Sequence, residues 1–458
     1  MPPQQGRPSL PSLPAELIEH ILLCLPQEQR ASCMLVCRHL AIGRGSRLLW
    51  RTASNCWPAA LLAALAFNPG LHIQELRWGG FGDAPFYEFP WQGAEEVQLA
   101  TQVCCQLGSR LQLLQLEVRG CDLSTEWVAS LRGLRHLELY AYYGDEDECC
   151  LTLTSHLGVL PHLQSLQSVA QQLDIEADCI PPSARLHFTI GEAPAGLLAA
   201  CARAAGSLRQ LEVAELEDGG LEGLEWAPLA GLALTRLLLR VALPALPPEL
   251  ALLAGGLQSL HISKLPGGPT AQELEEPCAP LGALSALRNL YLAPAQELLH
   301  LPACLAQLPA LEDLRCPAAV SLQLPGLGPA QPPAWVPRLR CLTLNLRTVA
   351  ASSEPLSTAT RLTYLGLGSI GTPEEPALPE ASVLGVLDLL RTLPALRQIA
   401  DTEHAGLADA LCVSGGCVRA YGDMMQARPE LKVTAKWSVF ADADARPLPA
   451  GDVQVAPA

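Results

Sequence analysis

The sequence predicts an α/β fold in which a small helical N-terminal segment precedes a long, irregular array of repeats, with a parallel sheet on the concave face. Three observations carry this prediction. Apolar residues between 13 and 25 recur at helical spacing. Beyond residue 70 a leucine pattern recurs, and from residue 113 onward its copies begin at intervals of about 20 to 34 residues. Finally, a chain of 458 residues is too long for one ordinary core unless stacked repeats share it.

The N-terminal segment has the features of a short amphipathic helix. Pro14 suits the first turn, where a missing N–H costs nothing, and Glu16 lies where the helix dipole favours an acid. The apolar side chains from Leu17 to Leu25 make one stripe. Because a unit of about 40 residues cannot enclose its own core, we expect this stripe to bind another polypeptide.

The order of features between residues 13 and 51 resembles an F-box. The matching features are Leu13-Pro14-Ala15-Glu16-Leu17, Ile21-Leu22, Leu25, Val36-Cys37-Arg38 and Leu49-Trp50-Arg51. The resemblance implies a contact with a Skp-family linker protein and, through it, with a cullin. Carried over position by position, the implied linker contact falls on Leu13, Pro14, Leu17, Ile18, Ile21, Leu22, Leu25, Val36 and Trp50.

The repeated unit is Leu-x-x-Leu-x-Leu, in which Val or Ile can take the third apolar position. Clear copies begin at Leu113, Leu134, Leu208, Leu234, Leu257, Leu287, Leu339 and Leu362, and weaker ones near Ile73, Leu163, Ser183, Leu311 and Leu396. The copy at Leu113 matches the full leucine-rich-repeat template, with Cys121 at the position that takes Asn or Cys. Apolar positions 4 and 6 alternate with polar residues, as a half-buried strand requires.

Repeat positions 3, 5 and 7 are expected to point out of the concave face and to bind a protein substrate. Tyr, His and Arg, which anchor many interfaces, are frequent there, and an acidic ligand is favoured near Arg185, Arg236 and Arg240. The candidate substrate contacts are Arg119, Glu138, Tyr140, Arg185, His187, Arg236, Arg240, His261, Tyr291, Arg315, Asn345 and Tyr364.

These patterns divide the chain into five predicted parts. They are a disordered N-terminus (1–9), an F-box-like helical domain (10–55), a linker (56–70), leucine-rich repeats with a C-terminal cap (71–435) and a disordered tail (441–458).

Composition and motifs argue against several other classes. A net charge of −16 disfavours nucleic-acid binding, and no apolar run is long enough to cross a membrane. The 17 cysteines are expected to be reduced packing residues, because the N-terminus lacks a secretory signal pattern, and the protein is expected in the cytoplasm or nucleus. We expect neither a metal nor a cofactor. The G-x-G-x-x-G run from Gly366, a pattern of dinucleotide-binding sites, follows a repeat strand that already explains its glycines.

In overall plan the chain is similar to the F-box leucine-rich-repeat proteins. That similarity implies a non-catalytic, substrate-recognition adaptor of an SCF-type ubiquitin ligase. The alternative is a plain interaction scaffold, in which the N-terminal helices only cap the repeat array. A third class, an adaptor whose ligand pocket is filled by a small molecule, has no residue set in this sequence that requires it.

Overall fold

The fold comes from a computed structural model. It describes residues 15–24, 51–54, 58–67, 71–78, 94–142, 149–176, 178–180, 185–192, 196–203, 208–215, 224–243, 245–265, 276–294, 301–317, 319, 322, 324, 332–368, 378–401, 411 and 414–435. The chain forms two compact units, Met1–Gly231 and Leu232–Ala458. The predicted disordered ends, 1–9 and 441–458, lie outside the described residues.

The first unit contains four α-helices and nine strands among the residues described. The helices are α1 (Ala15–Leu23), α2 (Pro58–Phe67), α3 (Ala94–Leu107) and α4 (Leu197–Arg203). The strands are β1 (Thr52–Ser54), β2 (Glu75–Trp78), β3 (Leu113–Arg119), β4 (Leu123–Ser124), β5 (His136–Tyr142), β6 (Cys150–Leu153), β7 (Ser165–Ile175), β8 (Arg185–Glu192) and β9 (Gln210–Glu215). Residues 56–70, predicted to be a linker, thus contain a helix.

All strand pairs of the first unit are parallel. The main row is β1-β2-β3-β5-β7-β8-β9. A second, shorter row of paired strands runs β4-β6-β7. The last residues of β7 pair with β6, so β7 takes part in both rows and is longer than its neighbours. The predicted α/β repeat fold with parallel strands is therefore confirmed here.

The strand register corrects one predicted repeat boundary. In β3, Leu114 pairs with Leu137 of β5, so the repeat begins at Leu111 and not at Leu113. The prediction that Cys121 occupies the Asn/Cys position of the template is therefore wrong, because that position falls on Arg119. A shift of two residues leaves every side chain on its predicted face. The assignment of Arg119 to the face away from the core is unaffected.

One core position of the first unit holds a polar side chain. Ser168 lies between Leu139 and Phe188 in the sheet, is fully buried, and its hydroxyl has no hydrogen-bond partner among the described residues. Three residues earlier, Ser165 is different, because its Oγ lies 2.8 Å from His136 Nδ1.

We expect Ser168→Ala to raise the free energy of unfolding by about 1 kcal/mol, because it removes a buried hydroxyl that gains no hydrogen bond. Ser165→Ala is the matched control and should lower that free energy by about 0.5–1.5 kcal/mol. Urea unfolding of both variants measures the difference. An equal loss of stability in the two variants would contradict the position assigned to Ser168.

The described part of the second unit consists of eight strands joined by seven return segments. Its strands are β10 (Arg236–Ala242), β11 (Ser259–Leu265), β12 (Asn289–Pro294), β13 (Asp313–Cys316), β14 (Cys341–Asn345), β15 (Tyr364–Gly368), β16 (Gln398–Asp401) and β17 (Lys432–Ala435). Its α-helices are α5 (Leu346–Ala351), α6 (Ser353–Leu356), α7 (Glu380–Thr392) and α8 (Gly415–Ala427). Earlier return segments are short 3₁₀ turns, such as Ala303–Gln307 and Val336–Arg338.

The strands of the second unit pair in chain order, all parallel. Their register aligns position 4 of successive repeats into a buried ladder, made of Leu237, Leu260, Leu290, Leu314, Leu342, Leu365 and Ile399. Burial of each such side chain contributes about 1.5–3 kcal/mol. Neighbouring repeats share this core, so each repeat depends on the next.

Arg428 joins the last two repeats of the second unit. Its guanidinium donates hydrogen bonds to the carbonyl oxygens of Leu393 at 2.8 Å and Leu396 at 2.7 Å. Longer contacts reach Leu390 and Arg391, at the end of α7, where helical carbonyls lack intrahelical partners. One cation thus caps α7 and orients the chain that leads into β17.

Candidate functional site

The first candidate surface is one edge of α1. Leu17 and Ile21 remain 48% and 45% exposed, and they lie one helical turn apart. Cys24, a further three residues on, is also exposed and carries a free thiol. We call Leu17, Ile21 and Cys24 the helix edge.

The opposite side of α1 is buried. Ile18 and Leu22 are 1% and 0% exposed, so their side chains support the fold of the unit and are closed to a partner in this conformation. The structure thus divides the predicted apolar stripe into a buried pair, Ile18 and Leu22, and an exposed pair, Leu17 and Ile21. The other predicted linker contacts, Leu13, Pro14, Leu25, Val36 and Trp50, lie outside the described residues.

The second candidate surface is the face of each sheet opposite the leucine ladder, which we call the open face. The residues predicted to contact a substrate alternate with buried core positions along their strands, as the repeat pattern predicts. They divide between the units. In the first unit they are Arg119, Glu138, Tyr140, Arg185 and His187, and in the second Arg236, Arg240, His261, Tyr291, Arg315, Asn345 and Tyr364.

Contacts between side chains cover much of the open face of the first unit. Arg119 donates two hydrogen bonds to Glu117 Oε1, at 3.0 and 2.7 Å. His187 Nδ1 lies 3.7 Å from Glu212 Oε2, and Tyr140, only 8% exposed, donates to Glu138 at 3.4 Å. The repeat pattern places Glu117 and Glu212 at outward positions, but neither is among the predicted substrate contacts, and the pattern does not reveal that they pair with this Arg and this His.

The open face of the second unit has an aromatic centre. The rings of His261 and Tyr291 lie on adjacent strands with centroids 4.1 Å apart and an interplanar angle of 32°. Next in the same row, Arg315 donates to both carboxylate oxygens of Asp313, at 3.2 and 3.0 Å. This hydrogen bond raises the pKa of Arg315 and keeps the guanidinium charged.

The next two residues of this row have small side chains. Thr343 follows Arg315, and Gly366 follows Thr343. A Cβ at Gly366 would lie 2.6 Å from Thr343 Oγ1, so glycine is required here by close packing of neighbouring strands. This supports the strand interpretation of the glycine run, whose last member, Gly371, lies outside the described residues.

Two polar residues beside this row have different roles. Burial raises the pKa of the Tyr364 hydroxyl, with Cys341 adding to the effect, so the phenol stays neutral at physiological pH. Asn345 is 6% exposed, and its Oδ1 accepts a hydrogen bond from Arg347 N at 2.7 Å. Asn345 therefore caps α5 and serves the fold of its own repeat.

The cysteines of the described segments are free thiols. Burial raises the pKa of Cys201 and Cys278 to about 12 and that of Cys341 to about 11. A buried thiol that stays protonated is a poor nucleophile and a poor metal ligand. Within the described segments, no group of three or more His, Cys, Asp or Glu side chains is placed to hold a metal ion. No helix in those segments is both long and apolar enough for a bilayer span.

Comparison with known proteins bears on the helix edge. A sequence model of the F-box-like family matches residues 10–55, which include α1. Among curated proteins, none matches this chain in sequence.

Solved structures that are similar to this chain include the following three. They are a leucine-rich-repeat protein of Leptospira interrogans (13% identity, 79% of this chain and 89% of that chain, TM-score 0.33), TLR13 in complex with ssRNA13 (14%, 78% and 58%, 0.38) and the mouse RP105/MD-1 complex (16%, 72% and 58%, 0.37). The chain spans only about 58% of the latter two proteins. The repeat assignment rests on the strands and register of this chain.

Proposed function

We propose that this chain, in which an F-box-like segment precedes leucine-rich repeats, is a substrate-recognition adaptor of an SCF-type ubiquitin ligase. The F-box-like segment binds a Skp-family linker protein and, through it, a cullin, while the repeats hold a protein substrate. The chain itself performs no chemistry and acts in the cytoplasm or nucleus. The observation that carries this proposal is the exposed helix edge of α1, within the residues that match the F-box-like family.

The helix edge has the form that a helical partner requires. F-box domains in general bind Skp1-type adaptors, and an amphipathic helix binds a partner through anchors at i, i+4 and i+7. Leu17, Ile21 and Cys24 occupy that spacing and are exposed, while Ile18 and Leu22 are already buried. A partner can therefore cover the edge without unfolding α1.

The helix edge alone does not provide a stable complex. Full burial of a Leu or Ile side chain is worth about 1.5–3 kcal/mol, and about half of that remains for residues already half covered. Association costs about 4–15 kcal/mol. The adaptor proposal therefore requires the other implied contacts, Leu13, Pro14, Leu25, Val36 and Trp50, to add to the interface.

For substrate binding, we favour the open face of the second unit. The stacked His261 and Tyr291, the oriented Arg315 and the neutral Tyr364 are residue types that dominate binding energy at interfaces. His261, Tyr291 and Arg315 occupy paired positions on three adjacent strands, so two rings and one oriented guanidinium lie side by side. Arg236 and Arg240 are exposed at the other side of the stack and favour an acidic segment in the substrate.

Alkylation of exposed thiols tests the linker interface. In the complex with a purified Skp-family protein, Cys24 should react with N-ethylmaleimide at least tenfold more slowly than in the free chain, because the partner covers the helix edge. Cys105, which is also exposed and lies on α3, is the internal control and should react equally in both samples. Peptide mass spectrometry measures both rates. Unchanged reactivity of Cys24 in a formed complex would reject the helix edge as the interface.

A further inference from the structure

A cavity of about 570 Å³ lies at the edge of the second unit where strands β12 to β15 begin. Its charged lining residues are Arg288, Glu312, Arg338, Arg340 and Arg361. Four cations therefore face one carboxylate, in a chain whose net charge is −16. Such a local excess of positive charge attracts an anion.

The backbone fixes these side chains in two rows. Arg288, Glu312 and Arg340 directly precede the paired residues Asn289, Asp313 and Cys341. Their carbonyl and amide groups form a ladder in which Glu312 N donates to Arg288 O and Arg340 N to Glu312 O, both at 2.8 Å. Along this first row, the backbones of neighbouring residues are therefore about one strand separation apart, ~4.8 Å.

The second row consists of Arg338, two residues before Arg340 on the same turn, and Arg361 on the turn before β15. Arg338 and Arg361 each come three residues before a member of the pair Cys341 and Tyr364. Two like charges are thus placed on neighbouring turns, next to paired strands. Arg361 has no side-chain partner among the described residues, and Arg338 donates to the carbonyl oxygen of Pro309.

The single carboxylate leaves most donors of the cavity available. Glu312 lies 3.7 Å from Arg288 and 3.6 Å from Arg340, which are ion-pair distances too long for good hydrogen bonds. The guanidinium groups therefore keep their paired N–H donors for a ligand. Forked donors of this kind match the oxygens of a phosphate group.

We propose that this cavity binds a phosphate group, either as a free anion or on a phosphorylated protein side chain. The dianion lies between Arg338 and Arg361 and relieves their mutual repulsion, while Arg288 and Arg340 approach from the first row. The site is independent of the adaptor proposal, because it uses no residue of the F-box-like segment. Either proposal can fail without the other.

Isothermal titration of the full chain with two phosphate probes tests this site. We expect saturable binding of inorganic phosphate and of N-acetyl-O-phosphoserine amide at low ionic strength, and weaker binding as salt is added. N-acetylserine amide should not bind. Tighter binding of the phosphoserine probe would support a phosphorylated protein as the ligand, and equal affinities would support the free anion. The absence of saturable binding for both phosphate probes would overturn the proposal.

The double variant Arg338→Gln, Arg361→Gln should bind phosphate at least tenfold more weakly. The matched control is Arg132→Gln, Arg419→Gln, which removes the same charge from two exposed arginines elsewhere and should change affinity less than twofold. If the first double variant unfolds, the single variant Arg361→Gln replaces it, since this side chain has no partner in the described segments; it should weaken binding several-fold. Wild-type affinity in a folded cavity variant would overturn the proposal.

Discussion

Leu17→Ala together with Ile21→Ala is expected to weaken the binding of a Skp-family linker protein by about 10- to 150-fold. The two residues are about half exposed, so their complete burial contributes about 1.5–3 kcal/mol in total. Each 1.4 kcal/mol corresponds to a tenfold change in Kd. Isothermal titration of the purified full chain with the linker protein measures the loss.

Controls distinguish a lost interface from a lost fold. Val159→Ala with Leu252→Ala also truncates two exposed apolar residues and should leave the affinity for the linker unchanged. Circular dichroism should be identical for wild type and both double variants. By contrast, Ile18→Ala with Leu22→Ala should lower the stability of the first unit, because these residues are buried. Wild-type affinity in the Leu17, Ile21 variant would remove the helix edge from the interface.

Trp335→Ala should destabilise the second unit by about 3–5 kcal/mol, the usual cost of truncating a fully buried Trp. The indole fills the core between two return segments, and its N–H donates to Leu305 O at 3.0 Å. One side chain thus joins consecutive repeats by packing and by a hydrogen bond. Guanidinium unfolding, followed by circular dichroism, should show the lower midpoint.

Trp335→Phe separates the two contributions. It keeps most of the bulk but removes this hydrogen bond, at a cost of about 0.5–1.5 kcal/mol, since Leu305 O still accepts a hydrogen bond from Leu308 N at 3.2 Å. Trp127→Phe is the matched control in the first unit, where the indole N–H has no partner among the described residues; it should change stability little. If Trp335→Phe is as stable as wild type, the Leu305 hydrogen bond contributes nothing to the junction.

Much of the repeat core was predictable because position 4 is Leu in nearly every copy and position 6 is apolar in most of them. The boundary near Leu113 was not, since Leu111, Leu114 and Leu116 match the same pattern as Leu113, Leu116 and Val118. Only pairing of Leu114 with Leu137 decides between them. Helix α2 was missed because its Ala- and Leu-rich sequence is apolar on all sides and gives no amphipathic signal.

Which side chains of the candidate surfaces face solvent also could not be predicted from the sequence, because it depends on three-dimensional contacts. The N-terminal stripe contains adjacent pairs, Leu17 with Ile18 and Ile21 with Leu22, so spacing alone does not say which member faces solvent. The arginine-lined cavity could not be predicted from the sequence for a related reason. Arg288, Arg340 and Arg361 are far apart in sequence and meet only because parallel pairing aligns the turns before β12, β14 and β15.

Affinity purification of the tagged full chain from cells tests the adaptor function most directly. The adaptor account predicts that a Skp-family protein and a cullin are both recovered with the wild-type chain, and that both are lost together in the Leu17→Ala, Ile21→Ala variant. Recovery of other proteins bound to the repeats, with neither the linker protein nor a cullin present, would contradict that account and identify the chain as a plain interaction scaffold.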